Sequence, residues 1–472
     1  MIEVDISGTE FSYDMKALAM VFYPEKECRV VEHPEISTED GYSINWRMNG
    51  KKWKKHFPRP YTKNQIKKEV YEYLKAQSGK ELPWGILTGI RPAKIPLRLM
   101  MQGKEEAEIE DILKEEYFCR EDKVRLAVDV AKKEFSLTQG MQHETCANVY
   151  IGIPFCPTIC AYCSFSSFPA GRYQDKMDAY LDALEKEMAH CKEWLAGKQM
   201  VSVYVGGGTP TSLSEEQFER LMAMTGKYLP MEQSKEFTVE AGRPDSITEG
   251  KLRSMKAHGV TRISINPQSM KEHTLELLGR RHTVEEIREK FALARTLGFD
   301  NINMDLIVGL PEETLEDFKE TLREVEALKP DSITVHTLVI KRASRLRKEQ
   351  LEQGGEMRKE DACIEPMQKE AEQFCRAHGY EPYYMYRQKN KAHTTRNTNQ
   401  ENVAYAKPGK ECLYNIFIME ELQSILALGS GGSSKIVFPE ENRMERVENV
   451  KSVDDYISRI DEMIRRKKES WR

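Results

Sequence analysis

From Asn148 to about His336 the chain alternates short β-branched apolar runs with charged stretches whose apolar residues recur at helical spacing. The runs Asn148 to Ile153, Val201 to Val205, Phe237 to Glu240, Arg262 to Ile265, Asn301 to Leu306 and Ser332 to His336 read as strands. Between the first two, Met177, Tyr180, Leu181, Leu184, Met188, Cys191 and Leu195 fall on one face at a 3.6-residue period; after the fifth, Leu315, Phe318, Leu322 and Val325 do the same. Strand and amphipathic helix in alternation predict a parallel α/β sheet with crossover helices. An eightfold barrel takes about 250 residues; this segment has roughly 190, which suits a partial (β/α)6 barrel with its chemistry at the carboxyl ends of the strands.

The flanks have a different texture. Residues 1–140 predict an α+β domain of unassigned role, with strands at Met20 to Tyr23 and Tyr42 to Met48 and a helix from Lys63 to Gln77. Residues 145–345 are the barrel. Residues 346–472 predict a mostly helical domain that covers the substrate, with a polar insertion from Lys391 to Asn402 and a glycine-rich turn at Gly429 to Gly432.

Length and charge narrow the function classes. With 472 residues the chain has about three domains' worth at roughly 150 residues each. Lys and Arg number 71 against 76 Asp and Glu, a net charge of -5, so neither wholesale nucleic-acid binding nor an acidic disordered tail is expected. One segment departs from this balance: Arg47, Lys51, Lys52, Lys54, Lys55, Arg59, Lys63, Lys67 and Lys68 occur with no acidic residue among them, interleaved with Trp46, Trp53, Phe57 and Tyr61. It reads either as a solvated face or as an anion or nucleic-acid surface. No run approaches the ~18 apolar residues of a membrane span, and the opening MIEVDISGTE lacks the basic and apolar regions of a secretion signal, so a cytoplasmic protein is expected.

Ten cysteines in such a chain point to thiols or metal ligands rather than a disulfide framework. Cys156, Cys160 and Cys163 cluster in YIGIPFCPTICAYCSF, directly after the first predicted strand. Three thiolates this close can share one metal centre. A closed zinc site would need a fourth protein ligand, and the nearest downstream histidine is His190. A 4Fe-4S cube held by three thiolates leaves one iron open to an exogenous ligand, a catalytic arrangement. VYVGGGTPT places Gly206, Gly207 and Gly208 at the end of the second strand, where absent side chains allow a tight turn or a close backbone approach to a polar ligand. Glu240, Gln268 and Asp305 stand where apolar strands meet the barrel mouth, as strand caps, a polar network or a binding set. His336 ends the sixth strand. Arg387, Lys389, Lys391 and Arg396 beside Tyr380, Tyr383, Tyr384 and Tyr386 form either a basic loop or a surface for a carboxylated aromatic ligand.

The Cys-x3-Cys-x2-Cys spacing, with Tyr162 before the third cysteine, resembles the radical S-adenosylmethionine superfamily. FTVEAGRPDSI, RISINPQSM and NMDLIVGLPEET are similar to its oxygen-independent coproporphyrinogen III oxidase family, and WGILTGIRPAKI, YYMYRQKN and YAKPGKE to the HemZ-type coproporphyrinogen dehydrogenases within it. The resemblance implies a 4Fe-4S cluster on Cys156, Cys160 and Cys163 with S-adenosylmethionine on the fourth iron, and one or two molecules of that cofactor. It implies cofactor contacts at Tyr150, Tyr162, Gly207, Gly208, Thr209 and Glu240, and at Gln268, Arg280 and Asp305 for a second molecule; Arg281 adjoins Arg280 as a competing choice. Arg387 and Lys389 would hold substrate propionates. The implied reaction is oxidative decarboxylation of coproporphyrinogen III propionates to vinyls, giving protoporphyrinogen IX in haem biosynthesis. A monomer is expected, fed by an electron donor such as flavodoxin or ferredoxin and used anaerobically. Two positions depart from the family pattern: Gly152 and Ser164 stand where relatives carry histidine and cysteine. The competing readings are a haem chaperone on the same scaffold, a radical methyltransferase acting on a tetrapyrrole, and a radical enzyme acting on nucleic acid.

Overall fold

The structure is a computed structural model describing residues 1–36, 38–163, 165–340, 344–346, 362–388, 401–438, 441 and 443–471. Contacts divide the chain into two compact units, one built on Met1–Phe135 with Ala362, Met385 to Gln388 and Glu401, the other on the barrel segment with Cys363–Tyr384 and the residues from Asn402 onward. The described residues of the expected C-terminal domain are shared between the two units.

In the first unit four strands, β1 (Ile2–Ser7), β2 (Cys28–His33), β3 (Gly41–Met48) and β4 (Lys51–Pro58), lie in the order β2-β1-β3-β4. The helix Lys63–Ser78 starts on a reciprocal cap between Thr62 and Gln65 and stops at Gly79, whose φ of 66° suits a residue without Cβ. Met20 to Tyr23 is not a strand but the end of a helix, Ser12–Phe22. Met15, Leu18, Ala19 and Phe22 are buried at helical spacing there, and a four-residue apolar run alone cannot distinguish the two periods. The basic segment resolves toward the solvated-face reading. Trp46 and Phe57 are buried in the core and Trp53 stacks on Tyr73 at 5.0 Å, so its aromatic rings are spent on internal packing. Arg47 pairs with Asp5, Lys55 with Glu69, Lys63 and Lys67 with Asp14, and Lys68 with Glu116.

The second unit contains β5 (Cys146–Ile153), the short β6 (Phe155–Cys156) and β7 (Phe168–Pro169), then β8 (Gln199–Gly207), β9 (Glu236–Gly242), β10 (Arg262–Ile265), β11 (Ile302–Val308) and β12 (Ser332–Thr337). β5, β8, β9, β10, β11 and β12 pair in that order, all parallel, as the six expected barrel strands. Helices Met177–Met188, Glu215–Tyr228, Glu249–Ala257, Val284–Thr296 and Leu315–Leu328 connect them. Four begin on Ser or Thr side-chain caps, at Ser214, Thr248, Thr283 and Thr314. Among its described residues, the stretch beyond 346, expected to be mostly helical, adds five strands beside its helices: β13 (Glu381–Arg387), β14 (Glu401–Ala406), β15 (Ser424–Leu428), β16 (Ser433–Phe438) and β17 (Arg443–Glu448). β14 runs antiparallel to β12 at one edge, and β15 runs parallel to β5 at the other. The exposed edges of a six-strand sheet carry unpaired backbone groups, and these strands satisfy them. No described helix is long and apolar enough to cross a membrane.

Alternation along the barrel strands sorts two faces. Val149, Ile151, Val203, Val205, Phe237, Val239, Ile263, Ile265, Met304 and Leu306 are buried apolar residues. The residues between them bond to one another across the strands: Ser202 to Asn148 at 2.7 Å, Tyr204 to Glu240 at 2.5 Å, Arg262 to Ser332 at 3.1 Å, and Ser332 and Thr334 to Asn303 at 2.9 and 3.1 Å. They therefore share one face, and it is polar. A parallel sheet buried in hydrocarbon on both faces reads as continuous apolar runs; the alternation here marks a polar interior.

Candidate functional site

The cysteine loop leaves the end of β5 and is fixed at both ends, because β6 and β7 pair in parallel as Phe155 with Phe168 and Cys156 with Pro169. Its apex is tied down by the Ala161 amide donating to Leu278 O at 2.9 Å and the Thr158 hydroxyl donating to Gly279 O at 3.0 Å. Each sulfur has a polar neighbour. The Thr209 hydroxyl donates toward Cys156 Sγ at 3.6 Å, guanidinium nitrogens of Arg243 and Arg280 lie 3.9 and 3.8 Å from Cys160 Sγ, and Ser167 Oγ lies 4.0 Å from Cys163 Sγ. Burial pushes the Cys156 thiol up to about 11; the Thr209 hydroxyl opposes the rise, and Cys163 and Cys160 add to it. A metal cation in place of the protons relieves that crowding of thiolates. No three His, Cys, Asp or Glu side chains among the described residues are arranged to hold a single metal ion. Three thiols on one pinned loop, ringed by N–H and O–H donors, instead suit an iron–sulfur group, whose sulfurs take such hydrogen bonds.

The glycine triplet is demanded by packing, Gly208 against this loop, Gly207 against the end of β5 and Gly206 against the Tyr204 and Glu240 side chains. A Cβ on Gly206 would stand 2.9 Å from the Glu240 carboxyl carbon, one on Gly207 2.9 Å from Ile153 O, and one on Gly208 2.5 Å from Phe155 O. The Gly208 amide donates to Ile153 O at 2.8 Å and the Thr209 amide to Phe155 O at 2.7 Å. These two amides are committed to the protein. A ligand amino group, itself a donor, would in any case be met by oxygen acceptors.

Glu240 sits beside this loop on β9, accepting a hydrogen bond from the Tyr204 hydroxyl. Burial, with the Asp305 charge adding and the Tyr204 and Gly207 hydrogen bonds opposing, raises its carboxyl from 4.5 to about 7. Tyr150, Tyr204 and Tyr414 stack, with centroids 4.6 Å apart for Tyr204 and Tyr414 and 6.0 Å for Tyr150 and Tyr414. Tyr414 comes from the helix Leu413–Glu420, whose first amides donate to Glu236 at the start of β9, at 2.6 Å from Leu413. The helix thus meets the amino end of the strands, and its tyrosine lies among the inward tyrosines below Glu240. The Glu240 shift has a sign that can be checked. The folded chain binds this proton more tightly than the unfolded chain does, so stability falls as pH rises from about 4.5 to about 7 and this contribution is level above that. In ligand-free protein Glu240→Gln is expected to flatten the slope of melting temperature against pH over that window; parallel curves would show a carboxylate ionised throughout.

Three other sequence-selected residues gather on the neighbouring strand ends. Gln268 takes a φ of 70°, and its backbone joins β11 through Gln268 N to Asp305 O and Ile307 N to Gln268 O, both 2.9 Å. A non-glycine residue in the left-handed region is a strained backbone held by its surroundings, a trait that clusters at binding sites. Asp305 accepts from Asn303 Nδ2 at 2.7 Å and faces His336 Nε2 at 3.8 Å. Burial disfavours its charge, but His336 and the Asn303 and Thr334 hydrogen bonds outweigh that and hold the carboxyl below its usual range. Arg280 is buried and aims at Cys160, Tyr162 Oη (3.4 Å) and Asn266 O, whereas Arg281 is exposed, which separates the two candidates. Tyr162 packs against Leu278, Ile307, Leu310 and Leu338, so it also anchors the loop.

Arg387, the substrate residue expected from the sequence, makes its described contacts within the first unit. Its backbone amide donates to Ile90 O at 2.7 Å, its guanidinium to Leu87 O, and its charge lies 5.6 Å from the Trp84 ring. Burial lowers it to about 10, and its described contacts are those of a packed arginine. Lys389 and residues 391–400 of the polar insertion lie outside the described residues, as does Ser164. Sequence reasoning missed Tyr204, Tyr414 and Arg243. Tyr204 and Arg243 were visible as polar residues in, or directly after, apolar strands. Tyr414 carried no local signal. Gly429 owes its lack of a side chain to the end of β5, since a Cβ there would lie 2.4 Å from Gly152 O, whereas one on Gly152 would meet Leu428 O at 3.3 Å.

Residues 150–325 match the Radical SAM superfamily. The chain is 39% identical over 403 residues to the oxygen-independent coproporphyrinogen-III oxidase-like protein HemZ of Bacillus subtilis, covering 84% of this chain and 79% of that protein. It is 38% identical over 194 residues to the heme chaperone HemW of the same organism, covering 41% and 50%. Among solved structures, coproporphyrinogen III oxidase (HemN) from Escherichia coli, a radical SAM enzyme, has a TM-score of 0.54 at 24% identity, over 70% of this chain and 72% of that one; the likeness is one of fold.

Proposed function

Because this chain belongs to the radical SAM superfamily, in the family of oxygen-independent coproporphyrinogen-III oxidase-like HemZ proteins, we propose that it oxidatively decarboxylates coproporphyrinogen III propionates to vinyls, giving protoporphyrinogen IX. The observation that carries the reading is the gathering of Glu240, Gln268, Arg280 and Asp305 at the strand ends beside a pinned three-cysteine loop. Cys156, Cys160 and Cys163 would hold a 4Fe-4S cluster. When bound, the cluster and S-adenosylmethionine supply a 5′-deoxyadenosyl radical that removes hydrogen from an unactivated carbon.

The chain's own residues bind, orient and exclude water. Arg280 offers a buried guanidinium to a carboxylate. Glu240 accepts a hydrogen bond from an amino group when ionised, and Asp305 offers acceptors to hydroxyls, with Gln268 beside it. Tyr150, Tyr204 and Tyr414 form an aromatic floor beneath the polar set. On the substrate, loss of a propionate β-hydrogen, carbon dioxide and one electron to an external acceptor leaves each vinyl. The reduced electron donor would be a flavodoxin or ferredoxin.

The similarity to HemW over the barrel favours a second reading, a chaperone that binds haem without turnover. One experiment separates the two: anaerobic reconstitution with iron and sulfide, reduction, then S-adenosylmethionine with coproporphyrinogen III. Protoporphyrinogen with 5′-deoxyadenosine is the expected outcome. 5′-Deoxyadenosine without decarboxylation removes this substrate and keeps the radical chemistry; haem binding with no S-adenosylmethionine cleavage selects the chaperone.

A further inference from the structure

Arg243 and Asp245 are not used by the reading above, yet Arg243 touches a candidate cluster ligand and Asp245 holds Arg243 in place. Arg243 is 4% exposed at the end of β9. Its Nε and Nη2 donate in a fork to the two oxygens of Asp245, at 2.9 and 2.6 Å. Its remaining nitrogen, Nη1, turns to the cysteine loop, donating to Thr158 O at 3.0 Å and Thr158 Oγ1 at 2.6 Å, and lies 3.9 Å from Cys160 Sγ. Arg280 reaches the same sulfur at 3.8 Å from the turn after Leu278. Cys160 is thus the one of the three thiols, among the described contacts, that faces two guanidinium groups; Cys156 and Cys163 face hydroxyls. His282 lies against the other side of the fork, its Nδ1 3.8 Å from Asp245 Oδ1, and burial lowers its basicity toward the neutral form.

We propose that Arg243, held in the Asp245 fork, is a positioning residue that sets the reduction potential of the cluster bound through Cys160. The inference rests on the cluster reading of the three cysteines. A cationic donor beside a ligating sulfur stabilises the added electron of the reduced cluster and raises its potential, since hydrogen bonds to sulfur and net charge are the protein's means of tuning such centres. The Asp245 carboxylate opposes that effect. Its burial disfavours the charge, but the nearby His282 ring and the two hydrogen bonds from Arg243 overcome this and hold the carboxyl well below its usual range. The fork fixes the guanidinium plane so that one edge meets the carboxylate and the other meets the loop, which a lysine cannot reproduce.

The two charges give the test opposite signs. Wild type, Arg243→Gln, Arg243→Lys and Asp245→Asn are reconstituted anaerobically with iron and sulfide, assayed for iron and sulfide content, and titrated with reductant under EPR detection without substrate. Arg243→Gln is expected to shift the reduction equilibrium about tenfold toward the oxidised form, ~59 mV for a one-electron couple. Asp245→Asn is expected to shift it the other way, and Arg243→Lys to recover part of the loss. Unchanged potentials, or a shift of both Gln and Asn variants in one direction, overturn the proposal, because a purely structural role would perturb the loop alike in both. A wild type that takes up no four-iron cluster fails the underlying reading instead, and iron content reports that separately.

Discussion

Gly208→Ala is expected to empty the cysteine loop of iron and to lower 5′-deoxyadenosine formation at least about 10²-fold, the cost of displacing a reacting group by about 1 Å. The added methyl would stand 2.5 Å from Phe155 O and 2.9 Å from Cys156 Sγ. Neither neighbour can yield: one is backbone in the β6–β7 ladder, the other a proposed cluster ligand held by that ladder. The hydrogen bonds from Gly208 N to Ile153 and from Thr209 N to Phe155 must stretch to admit it, so the strand end and the loop part together. Overpacking of this kind costs about 1–3 kcal/mol, a modest loss for the fold and a large one for a site that depends on position. Gly226→Ala is the control, since its methyl would meet nothing within 4 Å and lies in the helix Glu215–Tyr228, where alanine is the better helix former. Iron content and S-adenosylmethionine cleavage, measured side by side, check the pair. A Gly208→Ala protein that keeps both would mean the triplet serves only as a turn.

The largest stability effect is expected at Lys467, far in sequence from any motif. Its ammonium and the Glu187 carboxylate are both fully buried and 2.6 Å apart. Glu187 also accepts from Tyr456 Oη at 2.5 Å, Asn449 Nδ2 at 2.9 Å and the Gly429 amide at 2.9 Å. Lys467→Met leaves that carboxylate buried without its counter-charge, which costs about 3–5 kcal/mol and is read as a lower midpoint in urea. Adding Glu187→Gln, which removes the charge and keeps an acceptor, is expected to return part of the loss. The same carboxylate holds the turn at Gly429 against Gly152, and the Tyr180 hydroxyl joins the two by donating to Gly152 O at 2.7 Å. Loosening it should therefore reach the end of β5, from which the cysteine loop departs. A Lys467→Met protein as stable as wild type would show that water enters and solvates the pair.

Much of the barrel was legible because its signals are local. Arg262 to Ile265 is a strand over those same residues, and the other five predicted strands differ only at their ends. Met177, Tyr180, Leu181, Leu184 and Met188 are buried on one helix face as their period required. The run Ser424–Leu428, by contrast, is five residues long and apolar, too short to separate strand from helix, and only its pairing with β5 decides the matter. Arg387 shows the other kind of failure. Basic and aromatic residues side by side suit a carboxylated ring and suit a packed arginine equally, and the Trp84 face and Leu87 carbonyl 300 residues away make it the second.

By itself the sequence determined the periods, the helix caps and the spacing of three thiols, which are set by residues a few positions apart and by the geometry of strand and helix. Tertiary structure decided which groups meet those thiols and at what cost. Arg243 reaches Cys160 across 83 residues, Tyr414 enters among the strands from the far end of the chain, and the Glu240 carboxyl rises to about 7 because burial removes water and Asp305 adds charge. Burial, charge proximity and a methyl's worth of free space are properties of closeness in three dimensions, and the chain acquires them only when its distant segments are brought together.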